Sequence, residues 1–480
     1  MANKVARQAD EQLRKTKIIC TIGPATASFQ KIKALRNAGM DLVRLNMSHS
    51  SHAEAKKVID WVNKLNQTGG SPVSVLLDTQ GPEIRTGELK NPMKLKTGQI
   101  VSLTVRDAEL VETQSILVNY EEIVDVVDVG SLITLDNGLL NFEVLEKKGG
   151  QLVCRVLDGG TLGSRKHVNL PGIRVNLPAI TEKDKRDIQF AKNHGVDFIA
   201  LSFVREASDI EELRRVLGAK GETIKIIAKI EDRSGVENIH SIVGAADGVM
   251  VARGDLGIET NIADLPNIQR RIVHSSAVGG KRCIVATHLL ESMIENPIPT
   301  RAEVTDVANA VYEGADAVML SGETSVGKYP TRCVEQIVDI VKRAERYAGL
   351  GYEKELVALD DKQHLAVHAV ALAESLRAVG IIVITRRGIM ADLVTNARPH
   401  SVPIFAFANS NQVRKRLVLN RSVNTFQIPF SRNPDKTLNR AMKMLKRIHG
   451  FAAQDKVVVV SDVLADSPSD AIQIRPLGEF

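Results

Sequence analysis

The chain has 480 residues, 44% of them hydrophobic and 25% charged, with a net charge of +6 and a pI near 9.0. That length exceeds a single core and suggests roughly two or three domains, while the absence of a Lys/Arg run and an aromatic content of 4% argue against a nucleic-acid surface. No apolar run long enough for a membrane span is present, and four scattered cysteines with a polar N-terminus, "MANKVARQADEQLRKTK", point to a reducing, cytoplasmic setting with neither disulfides nor a zinc site.

Three apolar segments come first: "TKIICTIG", "MDLVRLNMSH" and "VSVLLDTQG". Their nearly continuous Val/Ile/Leu content is that of strands buried on both faces of a parallel sheet. After "DTQGPEIRTG" the rhythm breaks. The next stretch holds "VSLTV", "SILVNY", "SLITLDNG", "NFEVLEKKGG" and "QLVCRVLDGG", short alternating strands with Gly and Asn turns, hence a small all-β insert. A helix is predicted over "TEKDKRDIQFAKNHG", with Thr181 as N-cap and Gly195 as its stop. Five more strands follow: "VDFIALSFVR", "IKIIAKIED", "DGVMVARGD", "RCIVATHLLE" and "ADAVMLSGET". Eight β-α units predict a (β/α)8 TIM barrel; an open doubly wound sheet is the alternative, disfavoured because no G-x-G-x-x-G is present. The insert would leave the C-terminal end of the third strand, where it can act as a lid over an active site. Beyond residue 346 "GIIVIT", "VPIFAFA" and "KVVVVSD" mark a smaller α/β domain. The expected domains are 1–87 with 177–346 (barrel), 88–176 (lid) and 347–480 (C-terminal).

Polar residues at strand C-termini are the catalytic candidates in a barrel. Here they are Arg44, Asn46, Ser48 and His49; Asp78, Thr79 and Arg85; Ser202; Lys229 and Glu231; Arg253 and Asp255; Thr287 and His288; and Ser321, Glu323 and Thr324. Cations and carboxylates converging on one mouth suit an anionic substrate held with a divalent metal. Glu231 and Asp255 end consecutive strands, as two carboxylates for magnesium would; surface acids at loop starts are the bland reading. Lys229 shares a strand face with Glu231, and a fixed ammonium beside a metal suits phosphoryl transfer. A structural lysine or a Schiff-base lysine remain alternatives. "SGETSVGKYP" nearly spells a phosphate-binding loop, but Tyr329 stands where Ser or Thr should hold magnesium, so a strand-to-helix turn is expected. His52 of "HSSH" reads as solvated, and "RGD" at 253–255 carries no adhesion reading in such a chain.

Taken together, "KIICTIGPAT", "VRLNMSH", "LDTQGPEIRTG", "NLPAITEKD", "IIAKIED", "MVARGDLGIE", "NPIPTRAEVTDVANAV" and "ADAVMLSGETSVGKYP" resemble, in order and over nearly the whole chain, the signatures of pyruvate kinase. The resemblance implies a barrel, a β-barrel lid inserted after the third strand and a C-terminal α/β domain, assembled as a homotetramer. It implies phosphoryl transfer from phosphoenolpyruvate to ADP, with magnesium (or manganese) and potassium as cofactors and no nucleic-acid or membrane partner. It assigns Lys229 to the transferring phosphoryl group and Arg44 to phosphate. The backbone at Gly254 and Asp255 would touch the substrate carboxylate, with Thr287 at the carboxylate and methylene as a member of the proton-delivery chain. Glu231 and Asp255 correspond to magnesium ligands, and Asn46, Ser48, Asp78 and Thr79 to potassium ligands, with Glu83 the acid of potassium-requiring members. Asn46, His49, Arg85 and the lid residue Lys166 correspond to nucleotide contacts.

Several positions depart from the family pattern. Gln80 replaces a common lysine, His288 a glutamine, His167 a glycine and Asn137 an aspartate. The effector loop, which resembles S/T-x-S-G-R-S/T in the family, reads "TRRGIM" at 385–390. Thr385 and Gly388 survive, but Arg387, Ile389 and Met390 replace the other expected residues. This argues against regulation by fructose 1,6-bisphosphate and leaves open a different phosphorylated effector, since Arg386 and Arg387 could meet an anion another way. Two other classes compete: a metal-dependent aldolase or lyase, which needs no nucleotide lid, and a non-catalytic relative that only binds metabolites.

Overall fold

The computed structural model describes residues 13–105, 115–173, 175, 177–461 and 471–478. The first strands are β1 (Lys17–Thr21), β2 (Leu42–Asn46) and β3 (Ser74–Asp78). The lid then contributes β4 (Met93–Leu95), β5 (Ile100–Thr104), β6 (Ser115–Leu117), β7 (Leu132–Leu135), β8 (Leu140–Lys148), β9 (Gln151–Asp158), β10 (Gly160–Leu162) and β11 (Val168–Asn169). The chain returns through β12 (Phe198–Leu201), β13 (Lys225–Ile230), β14 (Gly248–Ala252), β15 (Arg282–Ala286) and β16 (Ala317–Leu320). It ends in β17 (Gly380–Ile384), β18 (Ile404–Ala408), β19 (Val423–Gln427), β20 (Lys456–Ser461) and β21 (Ala471–Pro476).

Strands β1, β2, β3, β12, β13, β14, β15 and β16 form the expected closed barrel, with β16 pairing back to β1 in parallel. Alternation along each strand sends side chains to two cores. Ile18, Val43 and Val285 face the helices, whereas Ile19, Leu42, Leu76, Phe198, Ile227 and Met250 fill the interior. Val418 and Leu419 of the C-terminal domain join that interior cluster and plug the barrel floor. The helix Glu182–His194 begins and ends where its sequence signals do. Thr181 accepts from Asp184 N in a capping box, and Gly195 closes the helix in the left-handed conformation at φ 72.

The floor shows a repeat that hydrophobic periodicity does not reveal. Asp41, Asp197, Asp247 and Asp316 each stand one residue before a strand: β2, β12, β14 and β16. Each carboxylate accepts a backbone N–H from the preceding barrel strand, namely Ile18 N at 2.8 Å, Val75 N at 3.0 Å, Ile226 N at 2.9 Å and Cys283 N at 2.9 Å. Each also meets a cation: Arg14, Lys415, Lys225 with Arg214, and Arg398 respectively. Lys415 and Arg398 belong to the C-terminal domain, so two of these aspartates, Asp197 and Asp316, also dock that domain.

In the lid, β11, β7, β8, β9, β5 and β6 form one sheet and β10 with β4 a two-stranded ribbon around an apolar core running from Ile84 to Leu170. The β7–β8 hairpin turns through Asp136, Asn137 and Gly138, all at positive φ, a conformation that Asp, Asn and Gly adopt at least cost. The C-terminal sheet runs β19-β18-β17-β20-β21, with β21 antiparallel. Its sequence announced only β17, β18 and β20. The edge strands β19 and β21 are partly solvated, so their polar residues mask the strand pattern.

Candidate active site at the barrel mouth

The β2–β3 register sets Asn46 opposite Asp78, and Arg44, two residues earlier on β2, points to the same side. Arg44 Nε lies 2.7 Å from Asp78 Oδ2, and its Nη1 donates to Thr21 Oγ1 at 3.1 Å. From β13, Lys229 reaches into the same cluster. Its Nζ lies 2.6 Å from Ser202 Oγ, 3.0 Å from Asp78 Oδ1 and 2.9 Å from Glu231 Oε1. Burial alone would lower the pKa of this ammonium, but the Asp78 and Glu231 carboxylates outweigh burial and hold it above its ordinary value. Burial likewise favours protonation of Asp78, yet Lys229 and Arg44 keep that carboxyl below its usual range.

Glu231 and Asp255 behave differently. Burial pushes both upward; the Asp255 carboxyl raises Glu231 further, whereas Lys229 and the contact with Glu231 partly offset the rise at Asp255. The two carboxyls titrate as a pair, and both are easier to protonate than free carboxylates. Glu231 Oε2 also accepts Phe203 N at 2.6 Å, which fixes its rotamer. Among the described residues no third His, Cys, Asp or Glu joins them in a metal-ligating group. Two carboxylates short of a full shell fit magnesium, which completes octahedral oxygen ligation with water and phosphate. Asn46, Ser48, Asp78 and Thr79 offer only oxygen donors from side chains, the chemistry an alkali cation accepts. Within that set Asn46 Oδ1 accepts Ser48 N at 3.1 Å, and Thr79 Oγ1 accepts Ser202 N at 3.1 Å.

The loops after β14 and β15 complete the mouth. Gly254 and Asp255 lie in the short helix Arg253–Glu259. A Cβ on Gly254 would come within 3.1 Å of Thr287 Cγ2, so the missing side chain lets the two loops approach closely. Thr287 itself sits at φ 73 and His288 at φ 55. His288 is exposed.

The nucleotide candidates are less concentrated. His49 is exposed at the rim. Arg85 is held by Glu83 at 2.6 Å and by Arg165 O at 2.9 Å, while Lys166 is ion-paired inside the lid with Asp136 at 2.8 Å. Gln80, the uncharged replacement, donates to Glu83 at 3.1 Å. His167 is half-buried, edge-on to Phe203, and desolvation lowers its pKa. Beside the charge cluster, a cleft of about 450 Å³ separates lid from barrel; it is lined by His167, Asn169, Phe203, Arg205, Asp232 and Glu259 but not by Lys229, Glu231 or Asp255. Asn169 bridges it by donating to Glu259 at 2.6 Å, and burial pushes the Glu259 carboxyl up to about 7.

Other features that the sequence raised resolve plainly. Asp232 caps the helix Arg233–Glu237 by accepting Gly235 N at 2.8 Å. "SGETSVGKYP" forms a turn between β16 and the helix Pro330–Ala344, and Lys328 pairs with Glu295. His52, expected to be solvated, is exposed, and it also stacks on Phe190 and contacts Asp187 at 2.6 Å, because the helix carrying Phe190 packs beside its own. In the 385–390 loop Thr385 Oγ1 already accepts Gly388 N at 3.0 Å, Met390 is buried, and Arg386 and Arg387 are exposed. Two contributors had no assigned role beforehand. Ser202 was visible only as a strand-end hydroxyl, and Asp306, which grips Arg253, lies on a helix 53 residues away with no sequence signal linking them.

Comparison with known proteins bears on the fold and the family. Residues 13–334 match the family model for the pyruvate kinase barrel domain and residues 363–473 that for the pyruvate kinase alpha/beta domain. The chain is 42% identical over 453 residues to plastidial pyruvate kinase 2 of Arabidopsis thaliana, spanning 93% of this chain and 78% of that relative. It is also 42% identical over 462 residues to pyruvate kinase of Geobacillus stearothermophilus, spanning 94% and 78%. The crystal structure of a pyruvate kinase from Cryptosporidium parvum superposes with a TM-score of 0.91 at 35% identity, covering 98% of this chain and 97% of that one.

Proposed function

The chain belongs to the pyruvate kinase family and is a phosphotransferase of that type, and on that premise we propose that it transfers the phosphoryl group of phosphoenolpyruvate to ADP as the last step of glycolysis. The observation that carries this reading is the buried cluster of Arg44, Asp78, Lys229, Glu231 and Asp255 at the barrel mouth. The bond from phosphorus to the enol oxygen breaks as one to a terminal ADP oxygen forms, and the enolate then takes a proton at its methylene carbon to become pyruvate.

In this reading Arg44 and Lys229 bind the phosphoryl oxygens. Lys229 is charged before substrate arrives and is held by three acceptors, so it needs little reorganisation when charge builds on the moving oxygens. The backbone N–H groups of Gly254 and Asp255 orient the carboxylate, and the Thr287 hydroxyl serves the proton delivered to carbon. Magnesium or manganese held by Glu231 and Asp255, and potassium held by Asn46, Ser48, Asp78 and Thr79, would supply the remaining positive charge around the phosphate and carboxylate oxygens. Asn46, His49, Arg85 and Lys166 form the nucleotide side, which requires Lys166 to leave Asp136 as the lid closes. The working domain map keeps 1–87 with 177–346 as barrel, 88–176 as lid and 347–480 as C-terminal domain. The four free, buried cysteines suit a reducing compartment such as the cytoplasm. A homotetramer would give cover to exposed Tyr347, Leu350, Val357 and Leu359. If a phosphorylated effector binds the C-terminal domain, it meets Arg386 and Arg387 rather than the Thr385 hydroxyl.

Lys229→Met tests the central claim in a coupled assay of pyruvate formation from phosphoenolpyruvate and ADP. Turnover should fall by about a thousandfold; wild-type turnover would sink the role of Lys229. The potassium assignment fails if rates in potassium-free buffer equal those with potassium present.

A further inference from the structure

We propose that Arg253 is a positioning residue for the proposed reaction: its guanidinium locks Thr287 in the left-handed conformation, and Asp306 locks the guanidinium. This rests on the role given to Thr287 above and deepens it.

Strand β15 ends at Ala286, and the chain then passes through two successive non-glycine residues at positive φ, Thr287 at 73 and His288 at 55. A β-branched residue in that region is a true outlier and persists only where its surroundings impose it. The backbone of Thr287 is defined by the two peptide planes that flank it, and the carbonyls of those planes are Ala286 O and Thr287 O. Arg253 donates to both. Its Nε lies 3.2 Å from Ala286 O and 3.1 Å from Thr287 O, and its Nη2 lies 2.6 Å from Thr287 O. One rigid, planar side chain therefore fixes the relative orientation of the two planes that set the strained residue.

The other arm of the fork is anchored away from the mouth. Nη1 lies 2.7 Å from both oxygens of Asp306 and 3.5 Å from Gln269 Oε1. Gln269 is in turn held by Glu313 at 2.8 Å. Arg253 is 8% exposed and Gln269 3%, so water offers little competition at the guanidinium, while the Asp306 end is partly solvated. Arg253 also heads the segment carrying Gly254 and Asp255, and Gly254 already lies against Thr287. The clamp thus registers the loop proposed to seat the carboxylate against the loop proposed to serve the proton. A lysine could not reproduce it, because a single ammonium lacks the fixed fork that reaches two carbonyls and a carboxylate at once.

The clamp predicts that its loss damages proton transfer at carbon. The informative readout is deuterium exchange from solvent into the methyl group of pyruvate with ATP present, measured beside the forward turnover and the KM for ADP. Arg253→Lys should slow methyl exchange by about tenfold and Asp306→Asn by about threefold, with KM for ADP within about twofold of wild type. Thr287→Val should slow exchange as well, and adding Arg253→Lys to it should cost no more than about twofold further, because both changes remove the same interaction. Exchange that falls with Thr287→Val but not with Arg253→Lys or Asp306→Asn overturns the clamp while leaving Thr287 its role. The clamp is also overturned if the double variant multiplies the two losses. Exchange unaffected by Thr287→Val overturns the Thr287 assignment and the clamp with it. Should Arg253→Lys not fold, Asp306→Asn decides alone: it keeps the side-chain volume and weakens only the grip on Nη1.

Discussion

Both ends of the barrel bury charge, and they use it in opposite ways. At the floor Asp41, Asp197, Asp247 and Asp316 each accept a backbone N–H and face at least one cation. Some pairing there is loose: Arg282 Nη1 and Asp316 Oδ1 face each other at 3.7 Å without a hydrogen bond. At the mouth Lys229 is shared among three acceptors, while Glu231 and Asp255 face each other with fewer cations than carboxylates. Buried charge by itself is therefore no mark of function. Charge whose partners close the account locally reads as structure, and charge left in surplus of one sign reads as a site awaiting a counter-ion.

The sharpest way to break that contrast is to neutralise one acid at each end. Glu231→Gln should lower turnover by about a thousandfold, with a smaller loss of thermal midpoint than the floor variant below, because the amide oxygen can still accept from Lys229 or from Phe203 N. A midpoint that falls as far as that of a floor variant would erase the distinction. Asp316→Ala should do the reverse: a stability loss of about 3 kcal/mol, with kcat of the folded enzyme intact, since it strands Arg398 and the Cys283 N–H. Loss of kcat without loss of stability would place Asp316 in the catalytic machinery instead.

A smaller effect, with a pH signature, belongs to Asp247. Burial favours its protonation, but Lys225, the Ile226 N–H and Arg214 outweigh burial and hold its carboxyl below the ordinary value. A depressed carboxylate contributes stability above its unfolded pKa, about 3.9, and loses it as pH falls through the lower folded value. Denaturant unfolding should therefore show Asp247→Ala less stable than wild type at pH 7 by about 2 kcal/mol, with the gap closing in acid below the unfolded pKa. A gap independent of pH would mean that packing, not charge, is what the variant lost. The exposed pair Lys56–Asp60, 2.6 Å apart on the helix His52–Gln67, sets the lower bound: Lys56→Ala should shift stability by no more than about 0.5 kcal/mol.

Much of this was readable in advance. The eight Val/Ile/Leu runs name the barrel strands because a strand buried on both faces has no polar periodicity to confuse it. Lys229, Glu231 and Asp255 stand out because charge at the end of an apolar strand is chemically expensive. The edge strands β19 and β21 escaped because solvent lets their sequences mix polar with apolar residues, and the packing of His52 on Phe190 escaped because it joins two helices distant in sequence.

The sequence by itself determined the architecture and the chemical types at the mouth, since hydrophobic pattern and local helix caps act over a few residues. Tertiary structure alone decided which charges share partners. Asp306 grips Arg253, Lys415 and Arg398 reach the floor aspartates, and Lys166 rests on Asp136 through contacts between segments far apart in the chain. The strain at Thr287 is of the same kind, because a left-handed threonine is disfavoured locally and persists only where distant residues hold both of its peptide planes.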